Sequence, residues 1–82
     1  MESLYQTMRM LRAGRVLLDL SQQELAKRAG IGRQTLIRME NGEGGISVSN
    51  IEKVRAALEK SGVVFLPSTA KHGSAVALKK KG

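Results

Sequence analysis

The stretch from Leu20 to Gly42, LSQQELAKRAGIGRQTLIRMENG, decides the fold. Ser21 followed three residues later by Glu24 is a capping box: the hydroxyl takes an orphan amide while the carboxylate reaches back to the cap. It predicts a short helix from Gln22 to Ala29 whose inward residues are Leu25, Ala26 and Ala29. Gly30 supplies the left-handed residue that ends this helix. Ile31 is an apolar plug, and Gly32 serves as the next N-cap at small cost. A further helix runs from about Arg33 to Asn41, with Leu36 and Met39 facing in. Its outer face carries Arg33, Gln34, Ile37, Arg38 and Asn41. Gly42-Glu43-Gly44-Gly45 reads as a loop.

Upstream, Leu4, Met8, Leu11 and Leu18 recur at steps of four, three and seven, which keeps them on one helical face. Arg15 occupies the same stripe, where a charge needs a partner. Asp19-Leu20 then breaks the pattern. Downstream, Ser47 caps a helix from about Val48 to Ser61, buried through Ile51, Val54 and Leu58 and stopped by Gly62. Val63-Val64-Phe65-Leu66 is β-branched and aromatic, and Pro67 ends it. Ala75 to Leu78 is a second apolar run beyond a loop from Pro67 to Ser74, so the two runs predict a hairpin. An isolated two-stranded ribbon is barely stable in water, so this one must pack on the helices or pair with another chain. One of its faces closes the core beneath Leu58, and the other leaves an apolar strip of the kind that marks a protein interface. Val64, Phe65, Leu66, Val76 and Leu78 are the candidates for a dimer or partner contact. The chain therefore divides at Gly62, with residues 1–62 forming a helical domain and residues 63–82 a hairpin and basic tail.

Composition narrows the function. A chain of 82 residues buries only about 60% of its unfolded surface, enough for one small core. There are no cysteines, which removes disulfides, thiolate metal sites and thiol nucleophiles together. His72 by itself builds neither a metal site nor a triad. Glu24 has a capping role, and no nucleophile–base set can be assembled from what remains. No enzyme, metal or cofactor is therefore expected. Lysine and arginine number 14 against 7 acidic residues, a formal charge of +7, so the partner is expected to be polyanionic. Nucleic acid and an acidic membrane surface both qualify. Only Tyr5 and Phe65 are aromatic, too few to stack RNA bases. No apolar run approaches the roughly 18 residues of a membrane span, and MESLYQTMRM lacks the features of a signal peptide. The expectation is a soluble, cytoplasmic protein that does not use the membrane.

Two short helices joined through Ala29-Gly30-Ile31-Gly32 form the pattern of a helix-turn-helix. From about Leu11 to Leu58 the chain resembles the Cro/C1-type, or XRE, family of phage and bacterial repressors, whose fold is lambda-repressor-like. The match lies at Arg15, Ser21-Gln22, Leu25-Ala26, Gly30, Leu36, Met39, Glu40 and Gly42. The resemblance implies a mainly α, four-helix domain, here extended by a short C-terminal β-hairpin. It also implies a bacterial transcriptional regulator, most simply a repressor, that binds double-stranded DNA as a homodimer on a palindromic operator. No small-molecule substrate or cofactor is implied. Gln22 matches the position that clamps backbone phosphate, with Ser21 and Asn41 as further phosphate contacts. Arg15 and Glu40 match a structural ion pair between the first helix and the end of the recognition helix. The chain departs from the family at Gly32, usually Ser or Thr, and at Ile37, commonly polar. It departs again after Gly62, where many relatives carry a fifth helix.

The residue chemistry agrees with the resemblance. A helix fits the major groove, and side chains near its N-terminal end reach base edges. Arg33 can chelate guanine O6 and N7, Gln34 can pair with adenine N6 and N7, and Arg38 can reach a base or a phosphate. Ile37 suits a thymine methyl, the edge of the core, or another protein. Lys27, Arg28 and His72 read as ordinary surface, and Lys79-Lys80-Lys81 as a tail that adds charge near DNA. A second function fits the same fold: a protein-binding regulator, an antiactivator or antitoxin, that sequesters a partner protein. Ile37, Gly32 and the apolar tail favour it.

Overall fold

Serines start three of the four helices in the computed structural model, which describes residues 3–80. Ser3 caps α1 (Leu4–Leu17), Ser21 caps α2 (Gln22–Ala29) and Ser47 caps α4 (Val48–Lys60). The predicted box at Ser21 is present: Glu24 N–H donates to Ser21 Oγ at 3.0 Å, and Ser21 N–H donates to Glu24 Oε1 at 2.9 Å. An equivalent box stands at Ser3 and Gln6, which the sequence analysis missed. α3 (Arg33–Glu40) starts at Gly32 with no side-chain cap. Each predicted helix boundary agrees to within one residue.

α1 to α4 enclose an aliphatic core of Met8, Leu11, Leu25, Ala26, Leu36, Met39, Ile51, Val54, Ala57 and Leu58. Leu4 departs from expectation, standing 52% exposed. Its spacing suits the buried face, but burial along α1 begins only at Met8. Gly14 is buried, and a Cβ there would lie 3.3 Å from Val63 Cγ1 and 3.4 Å from Leu58 Cδ1. A glycine inside a helix costs roughly 0.5–1 kcal/mol relative to alanine; here it lets the hairpin approach α1 closely.

The hairpin itself is as predicted. β1 (Val63–Leu66) pairs antiparallel with β2 (Ala75–Leu78), Val63 facing Leu78 and Phe65 facing Val76. Lys79 N–H donates to Gly62 O at 2.8 Å and closes its base. Val63 is buried in the core, and Phe65 and Val76 pack against it. Those two interface candidates therefore serve the core from the inner face. Val64 and Leu66 lie on the outer face, Leu66 being 42% exposed, and Leu78 is 46% exposed at the end of its strand. The Arg55 guanidinium sits 4.9 Å from the Phe65 ring, a cation–π contact that covers the ring from α4.

Left-handed residues end the helices. Gly42, at φ 71°, donates its N–H to Met39 O, and Glu43 N–H reaches Arg38 O. The Tyr5 ring lies directly over Gly42, where any Cβ would collide with it. Asp19, at φ 57°, plays the same part after α1. Gly44 has ordinary dihedrals and nothing near its missing side chain. Gly42→Ala is therefore expected to lower stability by about 1–2 kcal/mol from its backbone alone, with the Tyr5 collision added. Gly44→Ala should be neutral, or stabilising by up to about 1 kcal/mol. Urea denaturation of the two variants checks this, and equal effects would contradict it.

Candidate nucleic-acid interface

The sequence of α3 sorts its side chains cleanly between two environments. Leu36, Met39 and Glu40 are buried, whereas Arg33, Gln34, Arg38 and Asn41 are exposed and Ile37 is half-buried. At 100° per residue the exposed positions form one contiguous arc. All five residues predicted to look outward therefore share one face, with Ile37 lying between Arg33 and Asn41 around the helix. Asn41 is the C-cap.

What holds that face in place is a charged knot along its edge, where Glu40 leaves α3 beside the row. Arg15 donates from Nε to Glu40 Oε2 at 2.7 Å and from Nη2 to Glu40 Oε1 at 2.9 Å. Its remaining arm, Nη1, donates to the carbonyl of Leu20 at 2.8 Å. Gln22 Nε2 donates to Glu40 Oε1 at 3.0 Å. The Glu40 side chain is only 2% exposed, and its carboxylate accepts three donors. One carboxylate thus joins the last turn of α1, the α1–α2 turn, the first residue of α2 and the end of α3. The hydrogen bond to Glu40, helped by its charge and opposed by burial, raises the Arg15 pKa above the ordinary guanidinium value. Arg15 stays charged at any working pH.

The residues matched to phosphate contacts surround this knot. Gln22 lends one amide hydrogen to Glu40, leaving its second hydrogen and its carbonyl to a ligand. Ser21 is exposed, and its hydroxyl accepts from Glu24 N–H. The Ser21 backbone N–H, followed by its hydroxyl, holds the Glu24 carboxyl below the usual carboxylate range. The stabilisation from this depressed pKa is present above the ordinary carboxylate value and is lost as pH falls through the lowered one. Arg38 Nε lies 3.4 Å from Glu43 Oε1, both side chains about half exposed. A surface pair of that kind contributes at most about 1 kcal/mol, so Arg38 is readily drawn to another anion. Arg33 and Gln34 have no side-chain hydrogen bond among the described residues.

Residues 11–65 match the family model of the helix-turn-helix. The chain belongs to the Cro/C1-type helix-turn-helix family. Comparison with curated proteins returns no match. Helix-turn-helix domains of this family are DNA-binding regulators, and the chain is one of them. Its α2 and α3 are the two helices of the motif. Among the described residues no helix is long and apolar enough to cross a membrane, and no group of three metal-ligating side chains is present.

Sequence reasoning missed the bond between Gln22 and Glu40, and the seat of Tyr5 on Gly42. Neither carries a local signal, because each joins residues far apart in the chain. The Arg15–Glu40 pair yields a direct prediction. Arg15→Met strands a buried carboxylate and should cost about 3–5 kcal/mol. Arg15→Met combined with Glu40→Met removes both charges and should lose far less than the sum of the single changes. Chemical denaturation of the three variants decides it; additive losses would show that the two groups are not coupled.

Proposed function

We propose that this domain is a sequence-specific transcriptional repressor of bacterial type, which lays α3 in the major groove of double-stranded DNA. The observation that carries the reading is the exposed row on α3, backed by a buried knot that fixes its orientation. Arg33 and Gln34 lead the row and read guanine and adenine edges. Arg38 reads a base or takes a phosphate, and Ile37 meets a thymine methyl. Ser21, Gln22 and Asn41 hold backbone phosphate around the Glu40 knot. Each bidentate base contact discriminates by about 1–3 kcal/mol. The formal charge of +7 supports a polyanionic partner. The setting is cytoplasmic, without cofactor, small-molecule substrate or catalytic step.

Two copies acting together on a palindromic operator complete the proposal, because half-sites one helical turn apart demand a two-fold dimer. Residues 1–62 are its DNA-binding part, and residues 63–82 supply the contact between subunits. Val64 and Leu66 on the outer face, and Leu78 at the strand end, are the surfaces available for that contact. Each strand also has one edge without a strand partner among the described residues, an invitation to pairing. Lys81 and Gly82, the end of the basic tail, lie outside the described residues.

A protein-binding regulator on the same fold is the second reading. It is favoured by Ile37 within the recognition face and by the outer apolar strip at Val64 and Leu66. Selection from a random duplex pool at physiological salt separates the two. The repressor reading expects enrichment of a palindrome that disappears for Arg33→Ala/Gln34→Ala. Absence of any motif, together with a pull-down that returns one stoichiometric protein, would favour the second reading. Analytical ultracentrifugation at high micromolar concentration tests the assembly: a dimer is expected, and a strictly monomeric chain would refute it.

A further inference from the structure

The recognition helix accounts for Arg33 and Arg38, but a second pair of exposed arginines lies beside it on α1. Tyr5, Arg9, Arg12 and Val16 follow one another at helical spacings of four, three and four, along one side of α1. With Ala13 they form one wall of an open cleft whose other wall is Glu40 and Asn41, at the end of α3. The acidic group in this cleft is already satisfied, since Glu40 spends both oxygens on Arg15 and Gln22. Among the described residues no carboxylate lies within ion-pair distance of Arg9 or Arg12. The cleft is therefore cationic.

Its position relative to α3 is fixed. The Tyr5 ring is seated on Gly42, immediately after α3. The Arg9 guanidinium stands 5.8 Å from the centre of that ring, within cation–π range. The first turns of α1 are thereby tied to the residue that ends the recognition helix. Asn41 belongs to both features: it closes the exposed row of α3 and it lines the cleft. A DNA strand held by Gln22 and Asn41 would pass onto Arg12 and then Arg9 as it leaves the base pairs under α3.

We propose that this cleft is a second phosphate-backbone site, in which Arg9 and Arg12 hold one strand of duplex DNA beyond the bases that α3 reads. The site rests on the DNA-binding reading above and extends it. It lengthens the footprint without reading sequence, one phosphate for each guanidinium. Both arginines are exposed, so replacing them leaves the core intact, and the melting temperature of the variants should fall by no more than the loss of the exposed Arg9–Tyr5 cation–π contact allows.

The test measures binding of the full chain to the enriched duplex, carried with long flanks or trimmed to the enriched base pairs, from 50 to 200 mM salt. Each phosphate contact contributes about 0.9 to the slope of log affinity against log salt. On the long duplex, Arg9→Gln/Arg12→Gln should flatten the slope by about 1.8 per bound chain, so that its affinity falls about tenfold less than wild type across this range. Its preferred sequence should not change, and Arg9→Lys/Arg12→Lys should keep the wild-type slope. On the trimmed duplex the glutamine variant and wild type should converge. An unchanged slope on the long duplex, with Arg33→Ala/Gln34→Ala still abolishing sequence preference, would overturn the cleft and leave the recognition helix standing. If wild type itself binds no DNA, the reading beneath fails and takes the cleft with it.

Discussion

A single carboxylate organises this domain. Glu40 sits at the end of α3, out of contact with water, and receives hydrogen bonds from Arg15 on α1 and Gln22 on α2. Arg15 in turn captures the Leu20 carbonyl in the turn between those helices. A buried charge is tolerated only when its hydrogen bonds are met, and all of them are met only when the three helices stand in one arrangement. No buried side-chain polar atom among the described residues lacks a partner. The apolar core supplies the driving force for collapse, but Leu, Val and Met contacts are adaptable in angle. The knot is directional, and it determines which way the outer face of α3 points.

The ion pair also places the residues proposed to face DNA on both sides of itself. Gln22, matched to a phosphate clamp, is oriented by the same carboxylate that fixes α3. Asn41 follows Glu40 directly in the chain, and Arg33 and Gln34 lie two turns back along the same helix. Structural and functional residues are thus interleaved within α3, every third or fourth position facing the knot or the core and the rest facing out. This explains how so short a helix, with no side-chain cap at Gly32, can present a defined surface. Its rigidity comes from its neighbours.

Much of this was legible in the sequence, for reasons that can be named. Ser21 and Glu24 announce a helix start because the capping box is built from backbone groups within four residues. Arg15 announces a partner because a cation on an apolar stripe is otherwise too costly, and the family resemblance points to Glu40. The hairpin follows from a β-branched and aromatic run and a second apolar run flanking a loop that begins with proline. What escaped is long-range. Periodicity gives the face of a helix but not how far the core extends beneath it, so Leu4 looked buried and is not. Alternation gives a strand two faces, and only docking against Gly14 and Leu58 shows that Val63, Phe65 and Val76 take the inner one. The contact of Tyr5 with Gly42 joins residues far apart in the chain.

The central claim is that the knot presents α3 to a duplex as a fixed surface. The most direct measurement is an NMR titration of the labelled chain with a duplex it selects, following every backbone amide. The account predicts the largest shifts at Arg33, Gln34, Ile37 and Arg38, with Ser21 and Gln22 moving alongside and the outer face of the hairpin changing only if subunits associate. Shifts concentrated on Val64 and Leu66, with the amides of α3 silent, would contradict it.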